Sequence, residues 1–203
     1  FGNANLNPEK TVSYEIGLQQ QLLDNLAFNV TAFYKDVRDL LALQQIRISS
    51  TETYYKYVNQ DYGNIKGITF ALTKRKNPED LFGATLDYTY QTAEGNETGS
   101  DAFFLDLASG RQSEKIPVLL NWDQTHTLNG TLTVGERGNW NVTFVGKLGS
   151  GLPYTPELLT RRMFLRTNTG RRPTRVTVDM LADKTFNVFN LPVTVFFKIF
   201  NLF

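Results

Sequence analysis

The sequence has 203 residues, a net charge of +1 and no cysteine. That balance supplies no bulk attraction to nucleic acid, and the missing thiols exclude a disulfide scaffold and cysteine-held metal. No run of 18 apolar residues exists, so no helix here crosses a membrane, which leaves a barrel of strands open.

The first patterned stretch runs from Thr11 to Val37, as TVSYEIGLQQQ, a break at Leu23-Asp24-Asn25, then LAFNVTAFYKDV. Val12, Tyr14, Ile16 and Leu18 alternate with Ser13, Glu15, Gly17 and Gln19; Leu26, Phe28, Val30, Ala32 and Tyr34 alternate with Ala27, Asn29, Thr31, Phe33 and Lys35. Alternation of this kind marks a strand with two unlike faces, since successive Cβ atoms point to opposite sides. Each arm is about 11–12 residues, roughly twice the usual strand and long enough for a tilted crossing of a bilayer.

The same grammar recurs. Residues 37–53 read as a mixed polar connection, with a helical turn over Asp36 to Gln45. Ile68, Phe70 and Leu72 then alternate with Gly67, Thr69, Ala71 and Thr73, and Asn77-Pro78-Glu79-Asp80 forms a tight turn. Phe82, Ala84, Leu86, Tyr88 and Tyr90 follow, against Gly83, Thr85, Asp87, Thr89 and Gln91. A long loop covers 92–121. Leu128 to Val134, a turn at Gly135 to Gly138, and Trp140 to Leu148 form the next hairpin. A second long loop covers 149–173, and Val176 to Ala182 pairs with Val193 to Ile199 across a break at 187–191.

The predicted fold is therefore all-β and antiparallel, with eight long strands joined alternately by short and long connections. Outer-membrane barrels have this asymmetry, with short periplasmic turns and long extracellular loops. One face is nearly all Val, Leu, Ile, Phe and Tyr. The other carries Thr, Gln, Asn and Gly with Glu15, Lys35, Asp87, Lys147 and Asp179, the expected lumen-facing polar residues. Tyr34, Tyr88 and Tyr90 fall next to long connections, while Phe82, Trp140 and Phe186 lie by short turns, as two interfacial girdles require. A soluble all-β binding domain is the competing reading, and a need for detergent separates the two.

Several phrases resemble those of TonB-dependent outer-membrane receptor barrels. NPEKTVSYEIGLQQQLLDNLAFNVTAFYKDVRDLL is similar to an N-P-E-K-[ST] loop feeding a Y-E-x-G-L strand whose return ends F-Y-x-x-x-x-D-L. NIKGITFALTKR, and VDMLADKTF followed by a strand ending NLF, resemble later phrases of that family. LLNWDQTHTLNGTL is similar to P-L-x-W-D-Q-R-H-T-L-N, with Thr125 where the pattern has a basic residue, so no ion pair is expected from that position.

The resemblance implies a barrel of about 22 strands around a plug. Residues 1–203 would be a run of its late strands, with the plug, the TonB-gripped segment and the final strand outside the chain. It further implies the bacterial outer membrane, and energised uptake of a scarce siderophore-, oligosaccharide- or peptide-like solute. The implied partners are outer-membrane lipid, lipopolysaccharide, TonB acting through the plug, and envelope or surface proteins, with no nucleic acid among them. A passive or structural barrel that anchors an envelope assembly is the alternative. The strands at 11–22 and 193–203 are expected not to pair with each other.

Chemistry is sparse, and neither a cofactor, a metal nor enzymatic activity is expected. His126, the sole histidine, lies beside Asp123, Thr125 and Asn129. A nucleophile-activating site needs a histidine oriented by a carboxylate or amide, but the phrase places His126 at a strand start, where local hydrogen bonding is the expectation. The N-x-T sequons at Asn29, Asn96, Asn129 and Asn141 follow from Asn and Thr sharing a strand face. Glu94, Glu97, Asp101 and Asp106 share a loop but lack a calcium-loop spacing. The glycines at 146–151 match no phosphate loop and are expected to relieve crowding. The strongest unusual feature is Arg161, Arg162, Arg166, Arg171 and Arg172, with Arg175 following. Arginine pairs bidentately with phosphate and carboxylate, so these residues read as lipopolysaccharide contacts, partners of the acidic loop, or captors of an anionic solute such as a ferric chelate.

Overall fold

A computed structural model describes residues 3–48, 52–96, 117–156 and 168–202. Eight long strands form one antiparallel sheet: β1 (Lys10–Leu23), β2 (Leu26–Arg47), β3 (Thr53–Lys74), β4 (Phe82–Gly95), β6 (His126–Glu136), β7 (Trp140–Gly149), β10 (Arg175–Val188) and β11 (Leu191–Ile199). Short β5 (Val118–Leu119) adds to the end of β4, and β8 (Pro153–Tyr154) pairs with β9 (Gly170–Arg171). Each long strand neighbours the next in sequence, and β1 and β11 remain the two edges of an unclosed wall, as expected.

Register carries the alternation across the sheet. Leu18, Val30, Phe70, Tyr88, Leu128, Leu148 and Val176 lie in one row. One residue away, on the opposite face, lie Gly17, Thr31, Thr69, Thr89 and Thr127. Slipping a single strand by one residue would mix these faces, so the two-residue period fixes the pairing.

Among the described residues the sheet has no second layer. Among the same residues the buried apolar side chains are few, Ala93, Leu120 and Pro153, while Ile16 is 77% exposed and Val195 57%. An apolar face of this extent is untenable in water; it belongs against lipid. Two aromatic levels are present, although Tyr34 does not end its strand, since β2 continues through Arg47. Phe82 and Trp140 open their strands after short turns, and Tyr90 lies beside His126 at the far end. Eight residues separate Phe82 from Tyr90, about 27 Å along a strand, which suits a tilted crossing of an apolar band of about 25 Å.

The structure corrects the reading of residues 37–53. Among the described residues of this stretch there is no helical turn, and 37–47 is strand, not loop: β2 runs through Arg47 and pairs with β3 from Thr53, so this hairpin projects beyond its neighbours. Compensating register shifts sit between Val37 and Leu41, where Asp39 has a φ of 62°. Beyond the bilayer a hairpin needs no apolar face, so pairs such as Gln44 with Lys56 hid the strand from a pattern search. Asn59 supports the bulge, donating to the Asp39 and Asn7 carbonyls at 2.7 and 2.9 Å and accepting the Asn7 amide at 2.8 Å. The start of the NPEK phrase is thereby pinned to the projecting hairpin.

The short connections are tight turns. Asp80 donates its amide to the Asn77 carbonyl at 3.0 Å, and its carboxylate accepts from the Asn77 amide and the Asn25 side chain. Between β10 and β11, Phe189 and Asn190 have φ values of 49° and 61°, the left-handed pair that a two-residue hairpin turn uses.

Candidate functional site

The polar face is a stack of rows. Gln19, Asn29, Ala71, Asp87, Asn129, Lys147 and Thr177 form one of them, so Asp87 and Lys147 flank Asn129. Asp179 lies one row on, opposite Val145, and accepts the Asn201 amide at 2.8 Å. Glu15 and Lys35 occupy adjacent rows on β1 and β2; Glu15 accepts from the Ser13 hydroxyl at 3.1 Å, and the Lys35 ammonium lies 5.6 Å from the Phe33 ring. All five expected polar residues thus share one face, in two groups. Among the described residues the ion pairs join Lys10 to Asp39, Arg38 to Asp36, Lys74 to Asp80 and Arg171 to Asp123, and none involves these five.

The end with the long connections is held differently. Asp123 is fully buried and accepts three hydrogen bonds: from the Ala93 amide at 2.7 Å, the Thr125 hydroxyl at 3.1 Å and Arg171 Nη2 at 2.7 Å. Arg171 also donates through Nη1 to the Gly151 carbonyl at 3.2 Å. The carboxylate therefore ties the end of β4, the approach to β6 and the returning long connection into one knot. Asn168, 7% exposed, adds a second tie by donating to the Leu119 carbonyl and the Asn121 side chain at 2.6 and 2.7 Å. Close approach explains Gly151, where a Cβ would collide with the Arg172 carbonyl oxygen, but not Gly146, where a Cβ would meet open space.

Thr125, standing where the sequence pattern has a base, gives Asp123 a hydroxyl, and Arg171 supplies the cation from 48 residues downstream. Of the arginines singled out, Arg171 is engaged in this knot. Arg172 is exposed, and its amide bonds the Leu152 carbonyl at 3.0 Å. Arg161, Arg162 and Arg166 lie outside the described residues, as do Glu97, Asp101 and Asp106. Asp123 and Asn168 were not foreseen as a unit. The WDQ phrase was the signal for the first, but its partner lies in another loop.

His126 bonds locally. Its Nδ1 is 2.8 Å from the Tyr88 hydroxyl, its ring is 5.4 Å from that of Tyr90, and its amide donates to Ser150 Oγ at 3.0 Å. Asp123 does not orient the ring. Among the described residues no group of three His, Asp or Glu side chains is placed to hold a metal ion. At the short-turn end, the Asn77 amide, then the Asn25 side chain and Lys74, hold the Asp80 carboxyl below its ordinary range.

A wall with one polar and one uncovered apolar face, tight turns at one end and a knotted rim at the other is the geometry of an outer-membrane barrel segment. The TonB dependent receptor-like β-barrel family matches residues 1–202. The chain belongs to this family of outer-membrane receptor barrels. Its short turns accordingly face the periplasm and its long connections the exterior. Among solved structures it is similar to the outer membrane transporter YddB from Escherichia coli, with a TM-score of 0.70 at 11% identity. That similarity covers 98% of this chain and 29% of the other, so the receptor segment spans under a third of its neighbour's length. No curated protein sequence matches the chain.

Proposed function

We propose that this segment forms part of the wall of a TonB-dependent receptor that takes up a scarce siderophore-, oligosaccharide- or peptide-like solute by energised transport. The polar face lines the lumen, the apolar face meets lipid, and TonB acts through a plug domain outside this chain. The observation that carries the reading is the unlike pair of uncovered faces on a sheet that does not close on itself, within a chain of the receptor-barrel family. A narrow closed barrel would fill its interior with interlocking side chains, whereas these rows of threonine, glycine and glutamine suit a wide aqueous lumen.

Glu15, Lys35, Asp87, Lys147 and Asp179 are read as lumen-lining charges that face water and solute. Arg161, Arg162, Arg166 and Arg172 contact an anionic solute or lipopolysaccharide phosphate, while Arg171 holds the base of their loop through Asp123. The transport reading is tested by solute accumulation in cells with and without TonB. Uptake that stops without TonB supports it; uptake that persists at full rate identifies a passive barrel. Changing Arg161, Arg162 and Arg166 to Gln should leave the barrel folded, because such loops add little to strand pairing. Solute binding should then weaken and lose its salt sensitivity. Unchanged affinity across salt concentrations leaves the lipopolysaccharide role alone.

A further inference from the structure

The short-turn end holds a cavity of about 270 Å³ between the β3–β4 and β6–β7 turns, lined by Lys76, Asn77, Pro78, Arg137, Gly138 and Asn141. A cavity of about 150 Å³ is enough to hold benzene, so this one accommodates a small organic solute. Its lining contains two cations and no carboxylate.

Lys76 is held on the polar side of the sheet by the backbone beneath it. Gly83 shares the face of Thr85 and Thr133, and a Cβ there would approach Lys76 Cβ to 2.8 Å, so only a glycine lets the lysine lie flat. Lys76 Nζ then donates to Asn141 Oδ1 at 3.1 Å, and Asn141 Nδ2 donates to Asp183 Oδ2 at 3.3 Å. The amide is a neutral acceptor and leaves the ammonium charge uncompensated. Asp183 and Asp80 each bond a lining asparagine, Asn141 and Asn77, but neither carboxylate lines the cavity or pairs with Lys76 or Arg137. Asp80 is held by Asn25, Asn77 and Lys74, Glu136 accepts from Asn139 at 2.9 Å, and exposed Glu79 does not line the cavity.

We propose that this cavity is a binding site for a small oxyanion, the carboxylate or phosphate group of a solute, with Lys76 and Arg137 as its charged donors, the Asn77 side chain as a neutral one, and Asn141 positioning Lys76. Two cations on a concave surface concentrate anions, and Arg137 adds a forked donor that matches an oxyanion. Its position at the exit from the lumen rests on the uptake reading; the oxyanion chemistry does not.

The test is calorimetric titration of the full-length receptor in detergent with succinate and, separately, inorganic phosphate. Binding by the unaltered protein, weakened about tenfold or more in Lys76→Gln/Arg137→Gln, is expected, because charge-assisted bonds carry that much affinity. Lys184→Gln, a cation by the Phe186 ring on the apolar face, should bind like the unaltered protein. Heat-modified gel migration checks that each variant is folded. Should the double variant fail to fold, Arg137→Gln alone, with its exposed side chain, gives the same reading. Succinate binding without phosphate binding, or the reverse, identifies which oxyanion the site takes. Absence of binding to the unaltered protein, or equal loss in the Lys184 variant, overturns the site while leaving TonB-dependent uptake untouched.

Discussion

The strand wall and the exterior rim are built on opposite principles. In the wall, no single side chain holds the structure: rows such as Leu18 to Val176 repeat one pattern across seven strands, and the surroundings of each face decide which substitutions are tolerated. At the rim, a single buried carboxylate joins segments 30 and 48 residues away from it. Repetition makes the wall readable and robust. Specific contact makes the rim sensitive to one substitution. A receptor needs both, because its loops must be held at a fixed base while they vary in sequence.

The largest expected effect lies in the wall. Leu86→Arg, midway between the Phe82 and Tyr90 levels, should destabilise the barrel by about 2–4 kcal/mol, because the charge would face hydrocarbon. Thr85→Arg, one residue away on the polar face, should cost far less; equilibrium folding titrations into lipid vesicles measure both. Comparable losses would erase the distinction between the faces.

The rim should break locally. Arg171→Gln leaves Asp123 buried without its cation and should cost about 2 kcal/mol of local stability, the scale of a charge-assisted bond. The readout is hydrogen exchange at the Ala93 amide and protease cleavage in the loop at 149–173. In the double variant with Asp123→Ala the combined loss should be smaller than the sum of the two, since both remove one contact. Additive losses would mean that the two residues act separately.

The smallest effect belongs to the periplasmic turn. Asp80 has its folded pKa lowered from an ordinary 3.8 by the Asn77 amide, Asn25 and Lys74. A depressed carboxyl contributes stability that is complete above its unfolded pKa and lost as pH falls through the lower folded value. Unfolding midpoints measured downward from pH 7 should therefore drop at the acid end. Asp80→Asn should flatten that drop without disturbing the Ala93 exchange that reports the rim.

Where the sequence was legible follows the same division. Strands whose alternation separates lipid from water, such as Leu26 to Tyr34 or Trp140 to Leu148, declare themselves because the bilayer enforces the period. The open edges were also legible, from a polar face too lacking in bulky fillers for a small closed barrel. The outer half of β2 and β3 was not. Past Val37 both faces meet water, Tyr54 opposes Ile46, and no polarity contrast marks the strand. The Asp123 knot was hidden for another reason, since a pair 48 residues apart leaves no periodic trace and only a folded chain brings it together. The five polar wall residues shared a face as their parity required, but parity does not show which of them meets a solute.

These 203 residues contain no cysteine, which permits the most direct measurement once any cysteine elsewhere in the receptor is replaced. Single cysteines placed from Thr127 to Val134 along β6 of the full-length receptor, labelled with a fluorophore in lipid vesicles, report quenching by brominated acyl chains. Strong quenching at 128, 130, 132 and 134, alternating with weak quenching at 127, 129, 131 and 133, is the predicted result. Uniform quenching, or the opposite alternation, would contradict a wall with lipid on its apolar face and water on its polar one.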